Sequence, residues 1–320
     1  MVGYDFESYN SHNIPDLEWR IKLPKKINRA LELLERDQAI YYEDANDGTP
    51  LNRDEGRRMA QTWADYINIR MEHGVFDIKA LGEFMEGLVE GGPTRSGHRT
   101  PATVVELPVT GISKNVIMAN AWQMTQSLAR GVHGFVICHA ESPEAVKAFV
   151  EHIRYPFHLQ GVGNGLEVGK RGSSGQKLAA PIWGVNPEDY LTHADLWPLN
   201  PDGELILGVK IENKRALGNV EKTLATPGIT FAEWGPGDMN WSFGHKSDTM
   251  PDPVEGELLE ARNRVFDACK ANGVIFCEWG TPENVVQKID EGIRVITAAG
   301  PTGKETAVKG RNYSKRQMPV

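Results

Sequence analysis

A strand–helix–strand pattern near the middle of the chain is the feature that most restricts its fold. Residues 205–212 read LILGVKIE, an apolar run that ends in Glu212. A helical stretch over 213–225 follows, and a second apolar run starts at Ile229 and leads to Asp238. Because such a unit crosses over right-handed and leaves its strands parallel, we expect Glu212 and Asp238 to emerge side by side at one edge of a sheet.

The same alternation extends over most of the 320 residues. It predicts eight strands, over 38–42, 65–71, 102–107, 134–139, 205–212, from 229, over 274–278 and over 293–297. Eight such units fit a single α/β TIM (β/α)8 barrel. A doubly wound open sheet is the alternative, but no Gly-x-Gly-x-x-Gly turn follows the first strand. We place the barrel at 38–300, between an N-terminal extension with one helix (1–37) and a basic tail (301–320).

The segment after the eighth strand is unusual for a barrel. It reads AAGPTGK over 298–304 and does not predict a good outer helix, so the eighth outer helix is expected to be atypical or missing. Such a gap would expose apolar sheet surface. We expect the N-terminal extension or a helix from a neighbouring subunit to cover it, which favours a homo-oligomer. The basic residues of 304–316 are interpreted as a solvated end or as a subunit contact.

Composition excludes several classes of protein. A formal net charge of −8 with scattered basic residues argues against nucleic-acid binding. No apolar run reaches the roughly 20 residues that cross a bilayer, and the polar, acidic residues 1–11 do not resemble a secretory signal. Three cysteines, Cys138, Cys269 and Cys277, are too few for a disulfide framework. We therefore expect a cytoplasmic protein that acts on small molecules.

Ionisable residues are concentrated at the predicted strand ends, where active sites of TIM barrels lie. The carboxylates of Glu212 and Asp238 suit a hard cation such as Mg²⁺, with Mn²⁺ or Co²⁺ as alternatives. His73 would titrate near neutrality, as general acid–base chemistry requires. Backbone amides of the turn that contains Gly235, Pro236 and Gly237 would bind an anion. Other candidates at the strand ends are Glu72, Glu106, His139, Lys210 and Trp234.

Five short motifs occur in an order and spacing that resemble the HpcH/HpaI family. They are MEHG at 71–74, RYP at 154–156, GVG at 161–163, KIE at 210–212 and GPGD at 235–238. This family comprises metal-dependent (class II) pyruvate aldolases related to the citrate lyase β-subunit superfamily, and the resemblance extends over 38–300. It implies a TIM barrel, commonly a hexamer that exchanges an outer helix between subunits, with a trimer or a dimer as the alternative.

The resemblance also implies roles for individual residues. Glu212 and Asp238 match the metal ligands, the amides of Gly237 and Asp238 match the site of the pyruvate carboxylate, and His73 matches the catalytic acid–base. The implied reaction cleaves or forms a 4-hydroxy-2-oxo acid from pyruvate, or a close 2-oxo acid, and an aldehyde. A metal-stabilised enolate carries the charge that develops in this reaction.

Two departures from the family pattern concern charge. Glu106 stands where the family has an arginine after the third strand, and Lys210 stands where it has a glutamine. Lys210 lies two residues before Glu212 and therefore on the same face of its strand. We hypothesise that Lys210 replaces the arginine and pairs with Glu106; a structural ion pair is the alternative. The aspartate that supports the family's histidine is absent near Ala129, which leaves open what orients His73.

Three further residues carry alternative interpretations. His139 binds substrate or only caps backbone groups at a strand end. Arg171, in the Gly/Ser-rich segment 170–176, contacts a second carboxylate of the substrate or belongs to a simple loop. Trp234 lines a pocket for a bulky aldehyde or packs in the core.

Two other functions remain as alternatives to the aldolase. One is an acyl-CoA lyase of the malyl-CoA or citrate lyase branch, although we find no basic cluster for nucleotide phosphates. The other is a barrel that binds a metal or an oxo acid without catalysis, which the lost arginine favours.

Overall fold

The computed structural model describes residues 25–246, 254–298 and 300–320. Eight parallel strands form a closed barrel in chain order, so the predicted TIM barrel is confirmed. The strands are β1 (Ile40–Ala45), β2 (Tyr66–Arg70), β3 (Ala102–Thr110), β4 (Gly134–Cys138), β5 (Ile206–Lys210), β6 (Phe231–Glu233), β7 (Ile275–Trp279) and β8 (Val295–Thr297).

Helices connect the strands and cover the barrel. They are α1 (Arg29–Leu34), α2 (Arg53–Met59), α3 (Ile78–Gly91), α4 (Lys114–Ala119), α5 (Ala121–Leu128), α6 (Pro143–Ile153), α7 (Gln176–Trp183), α8 (Pro187–His193), α9 (Lys214–Gly218), α10 (Val220–Leu224), α11 (Pro236–Ser242), α12 (Gly256–Asn272), α13 (Val285–Asp290) and α14 (Gly303–Tyr313). No helix among the described residues has the length and apolar composition needed to span a membrane.

Alternation along the strands separates two apolar cores. Outward side chains such as Val105 and Val209 pack against the helices. Inward side chains such as Val104 and Phe231 fill the lower half of the barrel and contact α1. Asn28 begins α1, and its side chain accepts hydrogen bonds from the amides of Ala30 and Leu31. The helix predicted in the N-terminal extension thus closes the amino end of the barrel, while residues 1–24 lie outside the described part.

The expectation that a good eighth outer helix is missing is wrong, because α14 follows β8 and packs on α13 and β1. Its buried face consists of Gly303, Thr306, Ala307 and Gly310. A methyl group on Gly310 would overlap the hydroxyl of Tyr41 on β1, so small residues allow this close contact. The gap that motivated the oligomer prediction is therefore filled by the chain itself, and the oligomer remains a prediction.

The C-terminal tail is anchored at the amino end of the barrel rather than solvated. Asp65, fully buried just before β2, accepts hydrogen bonds from the Tyr41 amide at 3.0 Å and from Arg316 Nη1 at 2.8 Å. Arg311 Nη2 lies 3.2 Å from the same carboxylate. Burial alone would raise the pKa of Asp65, but Arg316, Arg311 and Arg29 lower it to about 2. The basic residues of the tail therefore hold α14 against the barrel.

Candidate active site at the carboxyl end of the barrel

A cavity of about 760 Å³ opens at the carboxyl ends of the strands. Its wall contains seven carboxyl groups and two cations among the described residues. The acidic residues are Glu43, Asp44, Asp47, Glu106, Glu212, Glu233 and Asp238, and the cations are Arg70 and Lys210. Tyr42, Trp63, Asn68, the turn 235–237, Trp279, Thr297 and Gly300 complete the lining. A structural core is filled with apolar side chains, whereas this cavity is lined by acidic ones. Such a lining is suited to positively charged ligands.

Strand register places four of these ionisable residues in two neighbouring pairs. Arg70 of β2 is the register partner of Glu106 of β3, and Lys210 of β5 is the partner of Glu233 of β6. The predicted ion pair is present, since Lys210 Nζ lies 3.0 Å from Glu106 Oε1. Arg70 Nε lies 3.9 Å from the other oxygen of Glu106. Glu106 therefore links the two cations of the cavity.

Lys210 and Glu233 both have pKa values above their usual ones, for different reasons. Burial alone would lower the pKa of Lys210, but the acidic groups around it, Glu106 and Glu233 among them, raise it well above the usual value. Burial raises the pKa of Glu233 to about 7, with Glu106 adding to the shift and Lys210 opposing it. Lys210 is thus a permanent cation in the cavity at physiological pH.

Glu212 is held rigidly just after β5. The backbone N–H of His139 donates a hydrogen bond to Glu212 Oε1 at 2.6 Å. His139 has φ = +48°, a left-handed conformation that is uncommon for a non-glycine residue. On the other side, the Gly235 backbone packs so closely that a methyl group there would overlap Glu212 Cβ and lie 3.0 Å from Oε2. Both neighbours fix the direction of the carboxyl group.

The surroundings of Glu212 disfavour its ionised form unless a positive charge is nearby. The carboxyl is buried, and burial raises its pKa to about 8, with Glu72 and Asp238 adding to the shift and Lys210 and the His139 amide opposing it. Glu72, the second residue of the MEHG motif after β2, offers an oxygen within 4.8 Å of ligand atoms of Glu212 and of Cys138. A divalent cation would stabilise these carboxylates in their ionised form.

Cys138 belongs to this group as a thiol. Its Sγ donates to Glu72 Oε2 at 2.9 Å, and burial raises the pKa of the thiol well above its usual value. A protonated thiol is a poor metal ligand, so the usable donors are carboxylate oxygens. Oxygen donors are those that Mg²⁺ and Mn²⁺ prefer. The residues present therefore fit the predicted type of metal.

Asp238 lies in the first turn of α11, which begins with Pro236 after Gly235. The N–H groups of a helix's first turn have no acceptor within the helix, so those of Gly237 and Asp238 are available to a ligand. Asp238 lines the same cavity as Glu212, and its charge adds to the raised pKa of Glu212. The structure thus brings both predicted metal ligands and the predicted turn to one cavity.

Neither His73 nor His139 lines the cavity, but both lie beside Glu72. The His73 side chain is 66% exposed, with Nε2 3.5 Å from Glu72 Oε2. His139 Nε2 lies 3.9 Å from Glu72 Oε1, and its Nδ1 lies 3.2 Å from the side-chain amide of Asn213. Glu72 therefore lies between the two imidazoles. It is a candidate for the residue that orients His73.

The structure does not bring Trp234 or Arg171 to the cavity. Trp234 is 1% exposed and packs in the outer core, because it follows the inward-facing Glu233 by one residue. Arg171 is buried in the insertion, where its guanidinium stacks on Tyr155 and Tyr190 and donates to the Tyr190 hydroxyl at 2.8 Å. Both side chains are committed to packing.

Sequence reasoning missed Asp44, Asn68, Arg70 and Glu233 as cavity residues. Each lies near the carboxyl end of a strand, on its inward face. Counting back in steps of two from the last strand residue would have identified Asn68 behind Arg70. Which residue of a strand comes last, however, depends on register, which the sequence does not show.

A closed α/β barrel with a carboxylate cluster at its carboxyl end defines a barrel enzyme whose mouth can hold a cation. The comparisons agree: residues 95–307 match the model of the HpcH/HpaI aldolase/citrate lyase family. The chain belongs to this family, which confirms the predicted relationship and the prediction of a carbon–carbon lyase.

Individual relatives share modest identity over most of the chain. A hydroxypyruvate/pyruvate aldolase from Roseobacter denitrificans is 25% identical over 252 residues, which are 77% of this chain and 83% of the relative. A family protein from Burkholderia cenocepacia has the same fold, with a TM-score of 0.64, 22% identity and coverage of 89% of this chain and 97% of that one. Macrophomate synthase also shares the fold, with a TM-score of 0.63, 20% identity and coverage of 92% and 91%.

The contact of Gly235 with Glu212 predicts the effect of a small substitution. Gly235→Ala should reduce metal affinity at least about 10-fold, because the added methyl displaces the Glu212 carboxyl. Calorimetric titration with Mn²⁺ measures this. Gly218→Ala is the matched control, since a methyl group on Gly218 meets no atom within 4 Å. Equal Mn²⁺ affinity of both variants would contradict the assignment of Glu212 as a ligand.

Proposed function

We propose that this protein is a divalent-metal-dependent aldolase that cleaves or forms a 4-hydroxy-2-oxo acid from pyruvate, or a close 2-oxo acid, and an aldehyde. The observation that carries the proposal is the convergence of Glu212, Asp238 and the amides of α11 in one acidic cavity. Family membership and the names of the curated relatives support the same reaction type.

Glu212 and Asp238 would hold the cation, and Mg²⁺ or Mn²⁺ fits their oxygen donors. When bound, the cation supplies positive charge opposite the oxygen on which negative charge develops. The amides of Gly237 and Asp238 would bind the carboxylate of the oxo acid and so fix its orientation. Lys210 adds a second positive charge on the Glu212 face of β5.

His73 is our candidate for the proton transfer at the C4 hydroxyl. In the cleavage direction its imidazole takes the hydroxyl proton while the bond between C3 and C4 breaks. Glu72, 3.5 Å from His73 Nε2, would orient the ring and stabilise its protonated form. Because His73 is exposed and does not line the cavity, its side chain would have to turn inward to reach a bound ligand.

The acidic wall argues against the acyl-CoA lyase. The phosphates of such a substrate need a basic surface, and the two cations of the cavity each lie within 4.0 Å of carboxylates. The non-catalytic barrel remains as an outcome of the test below.

Pyruvate release is the direct test. With 4-hydroxy-2-oxo acids as substrates, a coupled lactate dehydrogenase assay should detect pyruvate, EDTA should abolish its release, and Mg²⁺ or Mn²⁺ should restore it. Tight metal binding without turnover of any such substrate would favour the non-catalytic barrel, and turnover unaffected by EDTA would contradict metal dependence.

A further inference from the structure

The cavity has a second wall opposite the proposed oxo-acid site. In a closed eight-stranded barrel, β1 and β2 lie diametrically across from β5 and β6. Glu212 and Asp238 follow β5 and β6, whereas Asp44 and Asn68 belong to β1 and β2 and line the same cavity. An oxo acid held near Glu212 and Asp238 leaves the β1–β2 wall to the other reactant, the aldehyde.

The hydrogen bonds of Asn68 determine which of its polar atoms is free to bind a ligand at this wall. Its Nδ2 donates to Asp44 Oδ1 at 2.9 Å and to Glu106 Oε1 at 3.1 Å. Because both partners are carboxylates, which only accept, the amide nitrogen must face them and the orientation of the amide is settled. The carbonyl oxygen of Asn68 is buried and accepts no hydrogen bond. Asn68 therefore presents an unused acceptor.

Glu106 provides a second unused acceptor. The residue is 3% exposed, and its Oε2 accepts no hydrogen bond, although Arg70 Nε lies 3.9 Å away. A buried acceptor without a partner costs free energy. A ligand that brings donors to this wall would recover that energy, whereas a ligand that brings only acceptors would not.

The charges of the lining residues also disfavour an anionic ligand at this wall. Arg70 Nη1 lies 3.3 Å from Asp47 Oδ2, and Lys210 is occupied by Glu106 and by Glu72 at 3.9 Å. Among the described lining residues, no cation is left without a carboxylate partner. An anionic group on the aldehyde would therefore meet like charge without a counter-ion.

We propose that the aldehyde partner carries hydrogen-bond donors, as hydroxyl or ammonium groups, and no carboxylate or phosphate. The inference rests on the proposed aldolase function. In the condensation direction, C3 of pyruvate loses a proton, its electron pair forms the bond to the aldehyde carbon, and the aldehyde oxygen takes up a proton as the new hydroxyl. The donor groups at the far end of the aldehyde bind Asn68 and Glu106.

A matched series of aldehydes tests this. The compounds OHC–CH₂–CH₂–X, with X as OH, NH₃⁺, CH₃ or COO⁻, are 3-hydroxypropanal, 3-aminopropanal, butanal and succinic semialdehyde. With pyruvate and Mg²⁺, kcat/KM should be at least about 10-fold higher for one or both donor-bearing aldehydes than for butanal. For succinic semialdehyde it should be at least about 10-fold lower than for butanal. The order of the first two separates hydroxyl from ammonium. Succinic semialdehyde equal to or better than the donor-bearing aldehydes would overturn the proposal.

A charge reversal at the cavity mouth adds a second test. Asp47→Lys should raise the ratio of kcat/KM for succinic semialdehyde to that for 3-aminopropanal at least about 10-fold, because it replaces an anion by a cation. Glu260→Lys on α12 makes the same change of charge at an exposed position outside the cavity, and the ratio should stay within about 2-fold. An unchanged ratio in Asp47→Lys would contradict the role of charge.

Exchange of the C3 protons of pyruvate for deuterium tests the aldolase function separately from the aldehyde preference, since it needs the metal but no aldehyde. Absence of metal-dependent exchange would refute the proposed function, and the inference with it. Exchange together with a preference for succinic semialdehyde, or with no condensation in the series, would refute the inference alone.

Discussion

Glu212→Gln is expected to lower kcat/KM for aldol cleavage by about 10³-fold or more. Glutamine keeps the size of the side chain but removes the negative charge that the proposed cation needs. A loss of roughly 4 kcal/mol of transition-state stabilisation corresponds to this factor. Mn²⁺ affinity, measured by calorimetry, should fall in parallel with the rate.

Glu278→Gln is the control for this prediction. Glu278 is also buried near the end of a strand, β7, but it pairs with Arg262 and Lys288 and does not line the cavity. Its replacement should lower thermal stability and leave Mn²⁺ affinity unchanged. If Glu212→Gln retained full Mn²⁺ affinity and turnover, the assigned metal site would be refuted.

Lys210→Met is expected to reduce kcat by about 10²- to 10³-fold. It removes the cation next to the site where negative charge develops, and methionine preserves most of the apolar stem. The variant should also lose stability, by about 3 kcal/mol, because Glu106 remains buried without its 3.0 Å partner. Steady-state kinetics and denaturant unfolding measure the two effects separately.

A double variant distinguishes catalysis from structure at this pair. In Lys210→Met with Glu106→Gln, neither member of the 3.0 Å pair is charged, so most of the lost stability should return while kcat stays low. Recovery of both would show that Lys210 serves only as the ion-pair partner of Glu106. Near-normal kinetics of the single variant would dispose of the catalytic role altogether.

The barrel was predictable because its strands are short apolar runs bounded by helical stretches. The predicted strand 102–107 begins at the observed start of β3, and the predicted strand 134–139 differs from β4 by one residue. Helix α14 was missed because apolar periodicity is the signal for a covering helix, and α14 buries glycine, threonine and alanine instead. Its contacts depend on Tyr41 and Asp65, which are more than 200 residues away in sequence.

The candidate site was predictable where a residue type and a strand end coincide. Glu212, Asp238, Lys210 and Glu106 share the cavity because parallel strands bring their carboxyl ends together. Arg171 was misplaced because a Gly/Ser-rich segment indicates a loop but not the aromatic rings it packs against. The acceptors at Asn68 and Glu106 follow from hydrogen-bond geometry, for which the sequence has no signal.

Anomalous diffraction from crystals grown with Mn²⁺ and pyruvate would show whether Glu212 and Asp238 share one cation. We predict one strong peak between the carboxylates of Glu212 and Asp238, with the pyruvate carboxylate against the first turn of α11. A peak at another position, or carboxylates that point away from a shared ion, would refute the proposed metal site.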